Sequence, residues 1–166
     1  MVSSAVIHVI GTTSLIAILT IIMIYVSTMT HLTLIENEKK NLQKIADSIT
    51  LQILYVLQVN TNISLRLQYP VEAISNHKYN IYIGSGASLS NIISEQLDPD
   101  TIYIVLKDPS NNVYAYSLVV KNSTSRPIIL KDNPIVFGST TATIIVKTLT
   151  PTSIILEAQV TEVIAR

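Results

Sequence analysis

Cysteine and tryptophan are both absent from this chain of 166 residues. Without cysteine the chain can form no disulfide, no thiolate zinc site and no cysteine nucleophile. Glycine is scarce, and four glycines are hardly enough for a glycine-rich nucleotide-binding loop. Charged residues make up 13% of the chain, about half the ~25% of an ordinary soluble protein. The 11 basic and 11 acidic residues cancel, so no excess positive charge is available to bind nucleic acid.

Charged residues are also missing from the first 35 positions. Within that stretch, residues 15–26 read LIAILTIIMIYV and are almost wholly apolar. About 20 apolar residues are needed to cross a hydrocarbon layer ~30 Å thick, and buried core helices rarely run this long without a charge. No basic residue precedes the apolar run, as a cleavable secretory signal would require. Residues 1–35 therefore predict an uncleaved transmembrane anchor helix.

The segment after the anchor continues the helical pattern, because no proline and a single glycine lie between residues 2 and 58. Apolar residues recur every seven positions, at Ile35, Leu42, Ile49 and Val56. This heptad pattern predicts an extended helical stalk over residues 36–59. Glu38 and Gln52 occupy two other positions of the same seam. Two interpretations stay open: the helix packs on its own C-terminal domain, or it bundles with copies of itself or a partner.

Beyond residue 60 the apolar period changes from helical to alternating, which is typical of half-buried strands. The strand-like segments cover residues 63–69, 79–83, 101–107, 113–120, 127–130, 140–148 and 153–163. Turn-forming residues at 108–112 and 149–152 predict two hairpins. Residues 88–97 predict a short helix or an edge segment. About seven strands in residues 60–166 predict an all-β, antiparallel, immunoglobulin-like sandwich.

Residues that carry out chemistry are few and scattered. The histidines at positions 8, 31 and 77 have no carboxylate or second histidine at ligand spacing. The acidic residues at 98, 100 and 108 lie where Asp is a favoured turn former, which explains them better than calcium binding does. No catalytic motif is present. We therefore expect no enzyme activity, no metal and no cofactor.

Apolar doublets in the strand-rich region predict an outward face that binds a partner, since a two-layer sandwich buries only one face of each strand. Ile92 and Ile93 are the leading candidates, because they lie between two turn-like segments where a sheet edge could be exposed. We expect this face to support self-association or binding to the cell envelope. Two sequons, at Asn62 and Asn122, are candidate N-glycosylation sites.

The sequence contains evidence for both orientations of the anchor in the membrane, and the two kinds of evidence are nearly equal in weight. Lys39, Lys40 and Lys44 follow the apolar run, and the positive-inside rule would place them in the cytoplasm. The two sequons favour the opposite side for the residues that follow.

Several features together resemble one family. They are the opening MVSSAVI, the uncharged run to Ile35, the linker ENEKKNLQKIAD at 36–47 and the strand-rich remainder. In these respects the chain resembles the FlaF and FlaG proteins of the archaeal flagellum, or archaellum, with FlaF slightly favoured. The resemblance implies a stator-like element of the archaellum motor: a single-pass protein of the cell membrane, with its β domain outside and bound to the S-layer protein or to a sibling subunit.

Two other classes stay open. A type IV pilin-like filament subunit also combines an N-terminal helix with a β head, and would polymerise through helix packing; the processing leader expected of that class is missing here. A membrane-anchored enzyme or solute-binding module would need a concave polar site, which these residues do not predict.

Overall fold

The computed structural model describes residues 4–72, 77–110, 112–123 and 125–163. The chain forms two compact units, Met1–Asn37 and Glu38–Arg166. Helix α1 (Ser4–Gln58) begins in the first unit and ends in the second. Most of the predicted stalk of residues 36–59 thus belongs to the unit that contains the strands.

The described residues of the second unit contain eight strands and one short helix, α2 (Gly86–Leu89). The strands are β1 (Ile63–Arg66), β2 (Asn80–Ser85), β3 (Thr101–Lys107), β4 (Tyr114–Lys121), β5 (Ile128–Leu130), β6 (Ile135–Gly138), β7 (Thr141–Leu149) and β8 (Ile154–Val163). They form two four-stranded sheets, with strand orders β1-β7-β8-β5 and β4-β3-β2-β6. An all-β domain with two sheets thus follows the long apolar helix.

The two predicted hairpins are confirmed. Strands β3 and β4 pair from Lys107 opposite Tyr114, and β7 and β8 pair from Leu149 opposite Ile154. One pairing departs from the antiparallel prediction, because β5 runs parallel to β8 along Ile128–Leu130. A parallel neighbour needs a crossover connection rather than a tight turn, and the chain between β5 and β8 supplies one through β6 and β7.

Strand β3 is buried on both of its faces, from Thr101 to Leu106. One face carries Ile102, Ile104 and Leu106, each no more than 3% exposed. The opposite face carries Tyr103 and Val105, and it is covered by three apolar side chains from α2 and the segment after it: Leu89, Ile93 and Leu97. The segment 88–97 is therefore a cover over the sheet rather than an exposed edge.

The second half of α1 packs on the β domain of its own chain. Its inward residues are at most 7% exposed; they are Leu42, Ile45, Ala46, Ile49, Ile53 and Val56. Gln43 donates to the backbone carbonyl of Tyr116 in β4 over 2.9 Å. The side chain of Gln52 both donates to and accepts from the backbone of Gln68, at 2.8 Å each. The first of the two interpretations of the heptad seam is thus confirmed.

Candidate functional site

The first unit presents an apolar helix surface to its surroundings. The large apolar side chains from Val6 to Leu34 are between 46% and 73% exposed. This part of α1 is long and apolar enough to span a membrane. Exposure of so many large apolar groups to water would be unfavourable, since burial is worth ~1.5–3 kcal/mol for each such side chain.

Threonine hydroxyl groups within this apolar segment donate to carbonyls of the helix itself. The hydroxyl groups of Thr20, Thr28, Thr30 and Thr33 each donate to the carbonyl four residues earlier, at 2.8–2.9 Å. Threonines that bond back to their own helix in this way present mainly the methyl group to the surroundings. These threonines therefore add little unsatisfied polarity that would hinder insertion of the segment into lipid.

The C-terminal end of α1 is held by a buried lysine. Lys147 lies on β7 and is 1% exposed. Its ammonium group donates to the carbonyls of Val56 and Leu57 at 2.8 Å each, and also to the carbonyl of Val59. Burial, and to a smaller degree the charge of Arg126, lowers the pKa of Lys147. The last carbonyls of a helix lack partners within it, so this lysine satisfies acceptors that would otherwise be buried without a donor.

Three residues that are remote in sequence form a buried polar cluster, which we call the Glu38 cluster: Glu38, His77 and Asp108. Glu38 lies on α1, His77 lies three residues before β2, and Asp108 follows β3 directly. Nδ1 of His77 lies 3.1 Å from Oδ2 of Asp108 and 3.5 Å from Oε1 of Glu38. Asp108 is fully buried, Glu38 is 6% exposed, and the imidazole is half-buried.

The charge state of this cluster follows from its contacts. Burial disfavours ionisation of Asp108, but hydrogen bonds from the Glu38 side chain and the Ser110 backbone N–H, with the nearby His77, hold the pKa of the Asp108 carboxyl below its usual range. The Asp108 carboxyl is thus held ionised in spite of its burial.

His77 has no carboxylate at ligand spacing along the chain, but the fold places two carboxyl groups beside it. Spacing along the chain is informative only within one helix or strand, and these ligand-type side chains come from three separate parts of the fold. One signal could have pointed to the cluster: Glu38 occupies a seam position of the heptad, where an acidic side chain is buried and needs a polar partner.

The two isoleucines predicted to bind a partner do not form an exposed face. Ile93 is 2% exposed within the cluster of Leu89, Tyr103 and Val105, and Ile92 is a half-buried neighbour of that cluster. The predicted exposure of Ile93 is therefore wrong. The outer face of β3 is itself apolar, so it needs a cover, and the segment 88–97 provides it.

The two sequons differ in their surroundings. Asn62 is exposed, and its Oδ1 accepts a hydrogen bond from the backbone N–H of Leu149. Asn122 is half-buried, and its amide pairs with both the N–H and the carbonyl of Ile128. Thr124 of the second sequon lies outside the described residues. Glycosylation at these positions stays a prediction, and Asn62 is the more accessible of the two.

Comparisons with protein-family models, with curated proteins and with solved structures found no match to this chain. Its function is therefore inferred from its own residues and their arrangement.

Proposed function

We propose that the chain is a non-enzymatic, single-pass membrane protein whose β domain binds another protein outside the cytoplasmic membrane. The observation that carries this proposal is the division of α1. Its first part exposes an almost continuous apolar surface, whereas its second part is packed into the β domain and capped there by Lys147. A helix fixed at one end in a folded domain and apolar at the other is suited to anchoring that domain at a membrane.

We further propose that this protein is a stator-like component of the archaellum motor, related to FlaF or FlaG, and that its partners are the S-layer protein or a sibling subunit. The two four-stranded sheets support the immunoglobulin-like sandwich expected for such a protein. The anchor would resist the torque of the motor, and the β domain would transmit that load to the envelope.

The contact surface that we propose for the partner lies on the outward face of α1 within the second unit. Leu51 is 68% exposed and Tyr55 is 58% exposed. They are four residues apart on one helix and so lie on the same face. With Leu65 and Arg66 of β1 they line a groove between helix and strand. A cluster of exposed apolar side chains of this kind is typical of interaction sites.

Cosedimentation tests this proposal. The full-length protein in detergent is mixed with S-layer-bearing envelope fragments, at low and at high salt. We expect it to sediment with the fragments at both salt concentrations, because screening weakens interactions between charges and leaves apolar burial unaffected. The double variant Leu51→Lys, Tyr55→Lys should stay in the supernatant, since an unpaired charge buried at an interface costs several kcal/mol.

Leu118→Lys combined with Val136→Lys is the matched control, because both apolar side chains are exposed on strands and neither lines this groove. It should sediment like the parent protein. Equal sedimentation of the double variant and the parent would place the contact elsewhere, and failure of the parent to sediment would remove the S-layer as a partner.

A type IV pilin-like filament subunit is the second candidate, and the continuity of α1 favours it. An unbroken helix with an apolar first part is what such subunits use to polymerise through helix packing. Electron microscopy after removal of detergent separates the two candidates. A stator component should give discrete particles or proteoliposomes, whereas a filament subunit should give fibres of uniform width.

A further inference from the structure

The Glu38 cluster combines the ligand types of a metal centre in a small volume. Glu38, His77 and Asp108 each offer a ligand atom, and these atoms all lie within 4.8 Å of one another. Both carboxyl groups are more than nine-tenths buried, and each has an oxygen within 3.5 Å of Nδ1 of the imidazole. Acidic residues on a surface are common without any ion, whereas two buried carboxyl groups that face one imidazole bring three ligand atoms together, and a cation among them would favour the ionised form of both carboxyl groups.

The distances between the ligand atoms fit a particular coordination geometry. A zinc ion bound at 2.0–2.2 Å in tetrahedral geometry has its ligand atoms ~3.3–3.6 Å apart. The two separations from Nδ1 of His77 are 3.1 Å and 3.5 Å. These two separations are close to the tetrahedral values, and the carboxylate oxygens lie within 4.8 Å of each other.

We propose that Glu38, His77 and Asp108 bind one zinc ion, with water as the fourth ligand. Both carboxyl groups bind the ion as carboxylates, and any proton that they hold is released on binding. This proposal is independent of the proposed membrane function and concerns a site that the sequence did not predict.

The donor set favours zinc over the common alkaline-earth ions. Calcium takes six to eight oxygen ligands, and magnesium prefers oxygen and water in octahedral geometry. An imidazole nitrogen with two carboxylate oxygens instead suits zinc and related divalent transition metals. The half-buried imidazole, 36% exposed, gives an ion a route from solvent to the carboxylates.

The second oxygen of Asp108 is already held in place. Oδ1 accepts the backbone N–H of Ser110 at 2.7 Å, which leaves Oδ2 directed at the imidazole. Outer contacts of this kind orient ligands around a metal. Because the three ligands come from α1, from the segment before β2 and from the residue after β3, a bound ion would link the helix to two segments of the β domain.

Zinc content and affinity test the site directly. The full-length protein in detergent is stripped with a chelator, loaded with zinc chloride, desalted and analysed by mass spectrometry for metals. We expect about one zinc per chain, and a higher melting temperature with zinc than without it, since a ligand that binds only the folded state stabilises it. In competition with a chromogenic chelator, His77→Gln and Asp108→Asn should each bind zinc at least ~10-fold more weakly.

Two matched variants serve as controls for zinc that binds outside the Glu38 cluster. His31→Gln changes an exposed histidine of α1, and Asp98→Asn changes an aspartate that, like Asp108, accepts a backbone N–H two residues later. Both should bind zinc as the parent does. Absence of zinc from the parent, or equal affinity in the parent and His77→Gln, would overturn the proposal.

Cobalt substitution keeps the test decisive should a cluster variant fail to fold, as judged by circular dichroism. Cobalt added to the parent protein should give the intense visible absorption of four-coordinate Co²⁺, and zinc should displace it. The weak spectrum of hydrated cobalt, unchanged by the protein, would equally overturn the proposal.

Discussion

Lys147 joins two parts of the fold that are far apart in sequence. Its ammonium group is buried among the carbonyls that end α1, where a cation also interacts favourably with the helix dipole. Taking a charge out of water is costly, and the lowered pKa of Lys147 reflects that cost. The hydrogen bonds to the end of the helix offset this cost, so that the Lys147 side chain connects α1 to β7.

Replacement of Lys147 by methionine keeps most of the apolar stem and removes the donor. We expect the free energy of unfolding to fall by at least ~1–3 kcal/mol, the cost of one buried acceptor left without a donor. Urea unfolding followed by circular dichroism measures the change. Lys121→Met is the control; this lysine is 73% exposed, so its replacement should change stability by no more than ~0.5 kcal/mol. Equal stability of the two variants would show that the hydrogen bonds of Lys147 to α1 contribute nothing to the free energy of unfolding.

Gly86 marks a close approach between α2 and the segment that follows it. A Cβ atom at this position would lie 2.1 Å from the backbone oxygen of Asp98, whereas one at Gly11 would meet nothing within 4 Å. Gly86→Ala should therefore destabilise the fold by ~1–3 kcal/mol through overpacking. Gly11→Ala should be neutral or stabilising by up to ~1 kcal/mol, as expected for a helix interior. A neutral Gly86→Ala in thermal unfolding would show that the Asp98 backbone shifts without cost.

At the scale of elements, local patterns predicted most of the fold. The uncharged run, the heptad seam and the alternating segments predicted α1 and both hairpins. The seam also contained the signal for two polar contacts, since Glu38 and Gln52 break it and each bonds to a part of the β domain. The partners of such residues depend on tertiary packing, and neither His77 nor Asp108 could be assigned to Glu38 from their spacing.

The segment 88–97 was predicted less well, for a physical reason. A two-layer sandwich leaves one face of each strand outside, and apolar doublets there predicted an exposed face. The chain instead covers that face with its own residues, and Ile93 became part of the core. Whether an apolar residue meets a partner or its own chain depends on contacts between distant segments, which the local pattern does not contain.

Ile93→Ala tests this corrected assignment. A buried isoleucine reduced to alanine costs ~2–5 kcal/mol, so the free energy of unfolding should fall by an amount in that range. Ile129 on β5 is 48% exposed, and Ile129→Ala should change stability by no more than ~0.5 kcal/mol. If the two variants were equally stable by urea unfolding, the cover formed by residues 88–97 would not be part of the core.

The proposed role of the apolar part of α1 as a membrane anchor can be tested by placing charges within it. Leu19→Arg combined with Ile22→Arg should remove the protein from membrane fractions, since each charge at mid-span costs ~2.5–3.5 kcal/mol on insertion scales. Two arginines at exposed positions of the second unit, Leu51→Arg and Leu118→Arg, provide the control and should leave membrane association intact. Retention of the first double variant in carbonate-washed membranes would contradict a role of this segment as the anchor.

At the scale of the whole molecule, a long apolar helix is followed by an all-β domain with two sheets. The sequence places basic residues just after the anchor and sequons beyond it, and these two features favour opposite orientations. The proposed function requires the β domain to lie outside the cytoplasmic membrane, where an envelope partner is accessible.

Cysteine labelling in intact cells is the most direct measurement of that claim, because the chain contains no cysteine of its own. Single cysteines are introduced at Thr152, exposed in the turn between β7 and β8, and at Ser4, exposed at the start of α1. A membrane-impermeant maleimide is then applied before and after permeabilisation. We predict that Thr152→Cys is labelled in intact cells and that Ser4→Cys is labelled only once the membrane has been opened. Labelling of Ser4→Cys alone in intact cells would place the β domain in the cytoplasm and contradict the proposed function.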